Sequence, residues 1–231
     1  AFEALTIGAA PQAAANLENN PNVRYVEENG TMEAFEQTTP YGIDITDADL
    51  AIDDGNTGAG VDVAVIDTGI DAQHETLQAN LGAGYAVVTC TGCAEPWDDD
   101  QGHGTHCAGI AGAVDDDGGV VGVAPAVTLH AVKVFDADAY ATVSGLSEGI
   151  QWVADQGYDV GSMSLGATSS YATLRDACRY AEERGVLLVA SAGNDGCSDC
   201  VRYPAAYESV VAVSATASGD DLASYSSYGP E

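Results

Sequence analysis

Short apolar runs rich in β-branched residues recur from residue 61 onward, at 61–66, 128–134, 186–190 and 210–214, with a weaker one at 160–165. The first, VDVAVI, shows no clean polar–apolar alternation, and it reads as a strand buried on both faces. Between the runs lie helix candidates at 103–113, 143–155 and 171–184. The last stops at Arg184-Gly185, a common helix end. Strands alternating with helices predict a three-layer α/β/α fold around a mostly parallel sheet. Ligand sites in such sheets lie at the carboxyl ends of the strands.

The first 35 residues carry a different pattern. Residues 2–7 alternate weakly as a strand, 11–19 are Ala-rich and helical with Pro11 in the first turn, and 22–27 (NVRYVE) alternate as a second strand. This reads as a small β-α-β unit, followed by a polar linker at 30–40. The expected domains are therefore 1–35 and 36–231. At 231 residues and 46% apolar content the chain can bury a large core. No apolar run is long enough to span a membrane.

Charge changes the picture of the setting. Thirty-six acidic residues face six basic ones, for a net charge of −30, and Lys133 is the sole lysine. The acids are spread through the chain, so they repel one another at low ionic strength, and molar salt removes that penalty. This points to a high-salt environment. With no basic stripe to neutralise phosphates, a nucleic-acid partner is not expected.

The cysteines comprise two C-x-x-C pairs, Cys90/Cys93 and Cys197/Cys200, with Cys107 and Cys178 apart. More than a hundred residues separate the pairs, which favours local disulfides in an oxidising compartment over one zinc site.

Three places carry candidate chemistry. Asp67 follows the first strand directly, in VAVIDTGID; it is either a functional carboxylate on a rigid element or a cap for the next turn. His103 and His106 lie in GHGTHCAG, where Gly102 and Gly104 allow close backbone approach and Thr105 is placed to cap the helix. His103 paired with a buried Asp can act as a general base; Asp67, His103 and His106 are alternatively a metal set. Asn194, in SAGNDG, is either an oxyanion donor or a turn asparagine tolerating a left-handed conformation.

Together D-T-G-I-D, G-H-G-T-H-C-A-G, Ser164-Leu165-Gly166 and A-G-N-D-G resemble, in order, the motifs of the subtilisin superfamily; VGVAP at 121–125 also fits. The acidity and the Cys197–Cys200 loop are similar to the halolysins, secreted subtilases of halophiles. The resemblance implies a secreted, monomeric serine endopeptidase acting on proteins or peptides. Asp67 would orient His103, His103 would be general base and then acid, and Asn194 would donate to the oxyanion. Ala139, Tyr140, Ala141, Ser164, Leu165 and Gly166 would hold the substrate as an added strand. Asp195 and the Tyr203–Pro204 bond, cis in relatives, would lie near the primary specificity pocket.

The same resemblance makes residues 1–35 the tail of an inhibitory propeptide, a partner cleaved off after Phe35. Phe35 and Met32 would then fill large apolar pockets, implying a preference for large apolar residues on the acyl side. It implies a structural calcium held by Gln37, Asp116 and the carbonyls of Val114, Gly118 and Val120, although Thr76 stands where relatives carry an Asp ligand. It also implies that Cys107 is buried, unpaired and near the catalytic histidine. Ser162 replaces a usual Asn. The nucleophile string G-T-S-x-A is absent from the 231 residues and is expected further along the chain.

Overall fold

The run at 61–66 forms β1 (Asp62–Asp67), and its side chains divide by parity between two cores. Val63 and Val65 enter one cluster with Ile70, Leu77, Ala108, Leu129 and Ala131. Ala64 and Ile66 enter the other with Val132, Ile150, Val153, Leu174 and Leu188. Successive strand residues point to opposite faces, so a strand apolar at nearly every position must be covered on both sides. Fully burying Ile66 or Leu188, each at most 1% exposed, contributes roughly 1.5–3 kcal/mol apiece.

The structure, a computed structural model, describes residues 37–229 except 117 and 218, together with 13, 16, 17 and 19–23. The chain divides into two compact units, Ala1–Phe35 and Glu36–Glu231. The strand expected at 2–7, residues 24–27 of the strand expected at 22–27 and most of the helix expected at 11–19 lie outside the described residues. The sheet, its helices and the candidate site all belong to the second unit.

β1 is joined by β2 (Tyr85–Ala86), β3 (Thr128–Lys133), β4 (Val160–Met163), β5 (Leu187–Ser191) and β6 (Val211–Val213). The sheet runs β2-β3-β1-β4-β5-β6, and every pairing is parallel. Two short helices, α1 (Tyr41–Ile45) and α2 (Ala48–Asp53), precede it. Three longer ones follow: α3 (His103–Gly112), α4 (Val143–Gln156) and α5 (Ala172–Glu182). Ala108 of α3 packs in the β1 odd-face cluster, whereas Ile150 of α4 and Leu174 of α5 pack in the even-face cluster. This is the expected α/β/α layering. Thr142 caps α4 by accepting from Gly145 N at 3.0 Å, and Gly157 ends it at φ 74°.

Departures from the pattern are local. α1, α2 and the two-residue β2 are too short to leave a periodic signal. β6 is an edge strand, with Val211 and Val213 about half exposed, so its run is not buried on both faces. The expected linker is partly structured: Thr38 N donates to Gly119 O at 2.8 Å, and Thr38 forms a parallel bridge with Val120. Disulfides join Cys90 to Cys93 and Cys197 to Cys200, while Cys107 and Cys178 are free.

Candidate active site

Asp67 is the last residue of β1 and is 1% exposed. Its Oδ1 accepts from Thr68 N at 2.7 Å and lies 2.7 Å from His103 Nδ1. A carboxylate can only accept, so Nδ1 carries the proton and Nε2 keeps a free lone pair. Asp67 Oδ2 is buried without a hydrogen-bond partner among the described residues. Burial pushes the Asp67 pKa above the usual carboxylate range, and the bonds from His103 and Thr68 offset only part of that.

His103 opens α3, and its side chain is 46% exposed. Thr68 Oγ1 accepts from Gly104 N at 2.8 Å, tying the start of the helix to the residue after Asp67. Gly104 is required for this approach. A Cβ there would overlap the Gly69 carbonyl and lie 3.1 Å from Asp67 Cβ.

The cap of α3 differs from expectation. Thr105 does not cap it; Asp99 does. Asp99 Oδ1 accepts from Gln101 N and Gly102 N, and Oδ2 from Thr105 N and Thr105 Oγ1. Burial pulls the Asp99 pKa up, but these bonds outweigh it and hold the carboxyl below its ordinary value. Thr105 Oγ1 instead accepts from Asp71 N at 2.9 Å. The sequence offers three consecutive aspartates before the helix, and nothing in the pattern selects the middle one.

Lys133, the last residue of β3, is 0% exposed and pairs in register with Asp67. Its Nζ donates to Thr68 O and to Asp100 Oδ1, both at 2.6 Å. The apolar run around it hides this residue from pattern reading.

The alternative metal set does not assemble, because among the described residues the side chains whose ligand atoms cluster with Asp67 and His103 do not include His106. The third group that clusters with Asp67 and His103 is Cys107, whose Sγ lies 3.9 Å from His103 Nδ1. Cys107 is half-buried and unpaired, and burial raises its pKa. Cys178 is deeply buried and pushed up to about 12, which leaves it an inert core thiol.

Ser164, Leu165 and Gly166 continue from β4 and, with Ser191, Gly193, Asn194, Asp195 and Arg202, line a cleft of about 330 Å³. Asn194 is exposed, and its amide has no partner among the described residues. Its φ is not positive; the left-handed residues of this turn are Gly193 and Gly196. The turn therefore does not need an asparagine for its backbone. Arg202 forks onto Asp195, Nε to Oδ2 at 2.6 Å and an η-nitrogen to Oδ1 at 2.5 Å, and holds that carboxyl below its ordinary value. No motif in the sequence singles out Arg202. A Cβ on Gly166 would lie 2.8 Å from the Arg202 stem and one on Gly193 2.6 Å, so two glycines make room for it. The Tyr203–Pro204 bond is cis.

Ala139, Tyr140 and Ala141 form an exposed turn rather than a strand. Ala139 is left-handed at φ 57°, and Asp136 Oδ1 accepts from Tyr140 N at 2.9 Å. Of the calcium candidates, Gln37 Nε2 donates to Val114 O at 2.8 Å, and Asp116 Oδ1 accepts from Gly118 N at 2.9 Å. Turning the Gln37 amide over would set its oxygen beside the Val114 carbonyl, as an oxygen-seeking cation requires. Thr76 supplies no carboxylate: its O accepts from Val114 N at 2.9 Å, and its methyl occupies the space next to Gly119. The five named groups thus fit calcium in kind, with one carboxylate among them.

The fold and site define an α/β protein with a buried carboxylate–imidazole pair at the carboxyl ends of a parallel sheet. Residues 58–231 match the model of the subtilase family, and the chain belongs to that family. It is similar to M-protease of Shouchella clausii (strain KSM-K16), 40% identical over 226 residues, covering 97% of this chain and 57% of the relative. Alkaline elastase YaB of Bacillus sp. (strain YaB) is 39% identical over the same length and coverage. Subtilisin E of Bacillus subtilis (strain 168) is 39% identical over 223 residues, 95% of this chain and 58% of the relative. The chain therefore spans under two thirds of the length of these relatives.

Proposed function

We propose that the protein is a serine endopeptidase in which Asp67, His103 and Asn194 act with a serine encoded beyond Glu231. The observation that carries the reading is the 2.7 Å contact of His103 Nδ1 with a fully buried carboxylate, which leaves Nε2 of a half-exposed ring free to take a proton. Asp67 holds the ring in one tautomer and balances the imidazolium. Asn194 donates to the oxyanion. The substrate lies as an added strand along Ser164-Leu165-Gly166, with the Ala139-Tyr140-Ala141 turn, whose Tyr140 N–H and carbonyl are already bonded to Asp136, flanking it rather than pairing with it. Asp195 and Arg202 satisfy each other at the cleft, and the preference for large apolar residues on the acyl side rests on Phe35 at the proposed maturation site.

In the same reading the enzyme is secreted, monomeric and salt-adapted, consistent with its net charge of −30 and two disulfides. Residues 1–35 are the end of a propeptide removed after Phe35. The test is a fluorophosphonate label on the secreted protein, with the coding sequence read beyond Glu231. Label on a serine in a G-T-S-x-A segment is the expected result. A folded product that takes no label is instead a peptide-binding homologue, and the proposal fails.

Calcium completes the reading as a structural ion held by Gln37, Val114, Asp116, Gly118 and Val120. With one carboxylate, affinity belongs to the weak class, about 10⁻⁴ M. At 1 mM calcium the ion then adds about 1.4 kcal/mol of stability. Chelation with EGTA at constant molar salt is expected to lower Tm by a few degrees and leave the protein folded; global unfolding on chelation excludes a weak site.

Cys107 gives a further expectation. One equivalent of a small mercurial is expected to block activity, since its sulfur lies 3.9 Å from His103 Nδ1. Cys107→Ala should retain activity and lose the sensitivity. A variant still inhibited places the reactive thiol elsewhere.

A further inference from the structure

Lys133 is the one lysine in a chain of net charge −30, and it is fully buried. Lysine is among the side chains least often buried, and an ammonium removed from water is costly unless its donors are satisfied. Here two of its three donors meet defined acceptors at 2.6 Å, Thr68 O and Asp100 Oδ1. The two acceptors belong to different segments. Thr68 follows Asp67 directly, and its N–H and hydroxyl bond Asp67 Oδ1 and Gly104 N. Asp100 follows Asp99, whose carboxylate holds the first turn of α3, where His103 begins. Lys133 itself sits on β3 beside Asp67, register partner to register partner. One ammonium therefore joins the segment that presents the carboxylate to the segment that presents the imidazole.

We propose that Lys133 is a positioning residue for the Asp67–His103 pair: it clamps the Thr68 and Asp100 segments so that Nδ1 and Oδ1 stay at 2.7 Å. It touches neither reacting atoms nor substrate. Its effect passes through the position of the imidazole and rests, for its catalytic consequence, on the function proposed above.

The test compares the wild type with Lys133→Met, which keeps the stem and removes the ammonium. Asp100→Asn is the second variant; it keeps every side chain's size and weakens the clamp from the partly exposed end, where the Asp100 side chain is 26% exposed. Proton NMR in molar salt reads the deshielded His103 Hδ1 resonance, which reports the bond to Asp67 and needs no serine. Peptide-anilide kinetics on the full-length protein read kcat and KM. The expected result is a broadened or upfield-shifted Hδ1 signal in both variants, with kcat falling about 10–100-fold for Lys133→Met and less for Asp100→Asn, at nearly unchanged KM. If Lys133→Met does not fold, Asp100→Asn alone decides by the same two readouts. An unshifted Hδ1 signal with kcat within twofold of wild type, whatever the change in Tm, reduces Lys133 to a structural role and overturns the proposal. A wild type that cleaves nothing refutes the proposed function instead, and the Hδ1 comparison still judges Lys133.

Discussion

Asp67→Asn is expected to lower kcat for peptide hydrolysis by about 10⁴-fold, with little loss of fold stability at neutral pH. The two halves of this expectation have separate causes. Activity depends on the negative charge, because the imidazolium formed when His103 takes a proton has Asp67 Oδ1 at 2.7 Å from its Nδ1. An amide oxygen in the same place can still accept from Thr68 N and His103 Nδ1, but it carries no charge to balance the cation. Stability follows the opposite sense. The folded-state pKa of Asp67 lies above that of the unfolded chain, chiefly through burial, and Oδ2 has no partner among the described residues. The cost of keeping it ionised therefore sets in as pH rises through the unfolded value of about 3.9 and is fully present above the folded value. Asparagine never carries that cost, although its buried N–H groups bring a desolvation penalty of about 1–3 kcal/mol. Relative to the variant, the wild type should gain stability as pH falls from 7 toward 4. Thermal unfolding across that range, at fixed salt, checks the sign. A kcat within tenfold of wild type would falsify the role given to the carboxylate.

Much of this site is legible because parallel α/β sheets place chemistry at strand ends, and strand ends show in sequence. The run VDVAVI stops at Asp67, so the residue's position on a buried strand follows from the pattern, and its burial from the apolar positions before it. His103 is legible through the glycines around it, one of which proves sterically necessary against Gly69 and Asp67. The hidden residues depend on contacts between distant segments. Lys133 reads as a polar interruption in an apolar run, and only its register opposite Asp67 reveals what it holds. Arg202 follows Asp195 by seven residues, across the Cys197–Cys200 bridge, and their fork depends on loop geometry. The exposure of β6 is hidden for a related reason. A β-branched run reports strand preference, whereas exposure on an edge depends on which neighbours the topology supplies.

Asn194→Leu is expected to reduce kcat by about 10²–10³-fold with KM changed little, the signature of a contact made only in the transition state. The local structure allows this test to be clean. The turn is held without the Asn194 side chain: Asp195 N donates to Ser227 Oγ at 3.1 Å, Gly196 N donates to Tyr225 O at 2.9 Å, and Arg202 clamps Asp195. Gly193 and Gly196 supply the left-handed backbone, so leucine at 194 meets no conformational objection. The Asn194 amide is exposed and bonds none of the described residues, so its loss leaves no buried group unsatisfied. Tm should accordingly stay within about 2 °C of wild type, as for exposed substitutions away from special features. The measurement is kcat and KM on one peptide anilide, with Tm in the same buffer. A rise in KM matching the loss in kcat/KM would make Asn194 a ground-state binding residue. An unchanged kcat would remove Asn194 from the oxyanion site and leave the oxyanion to backbone donors.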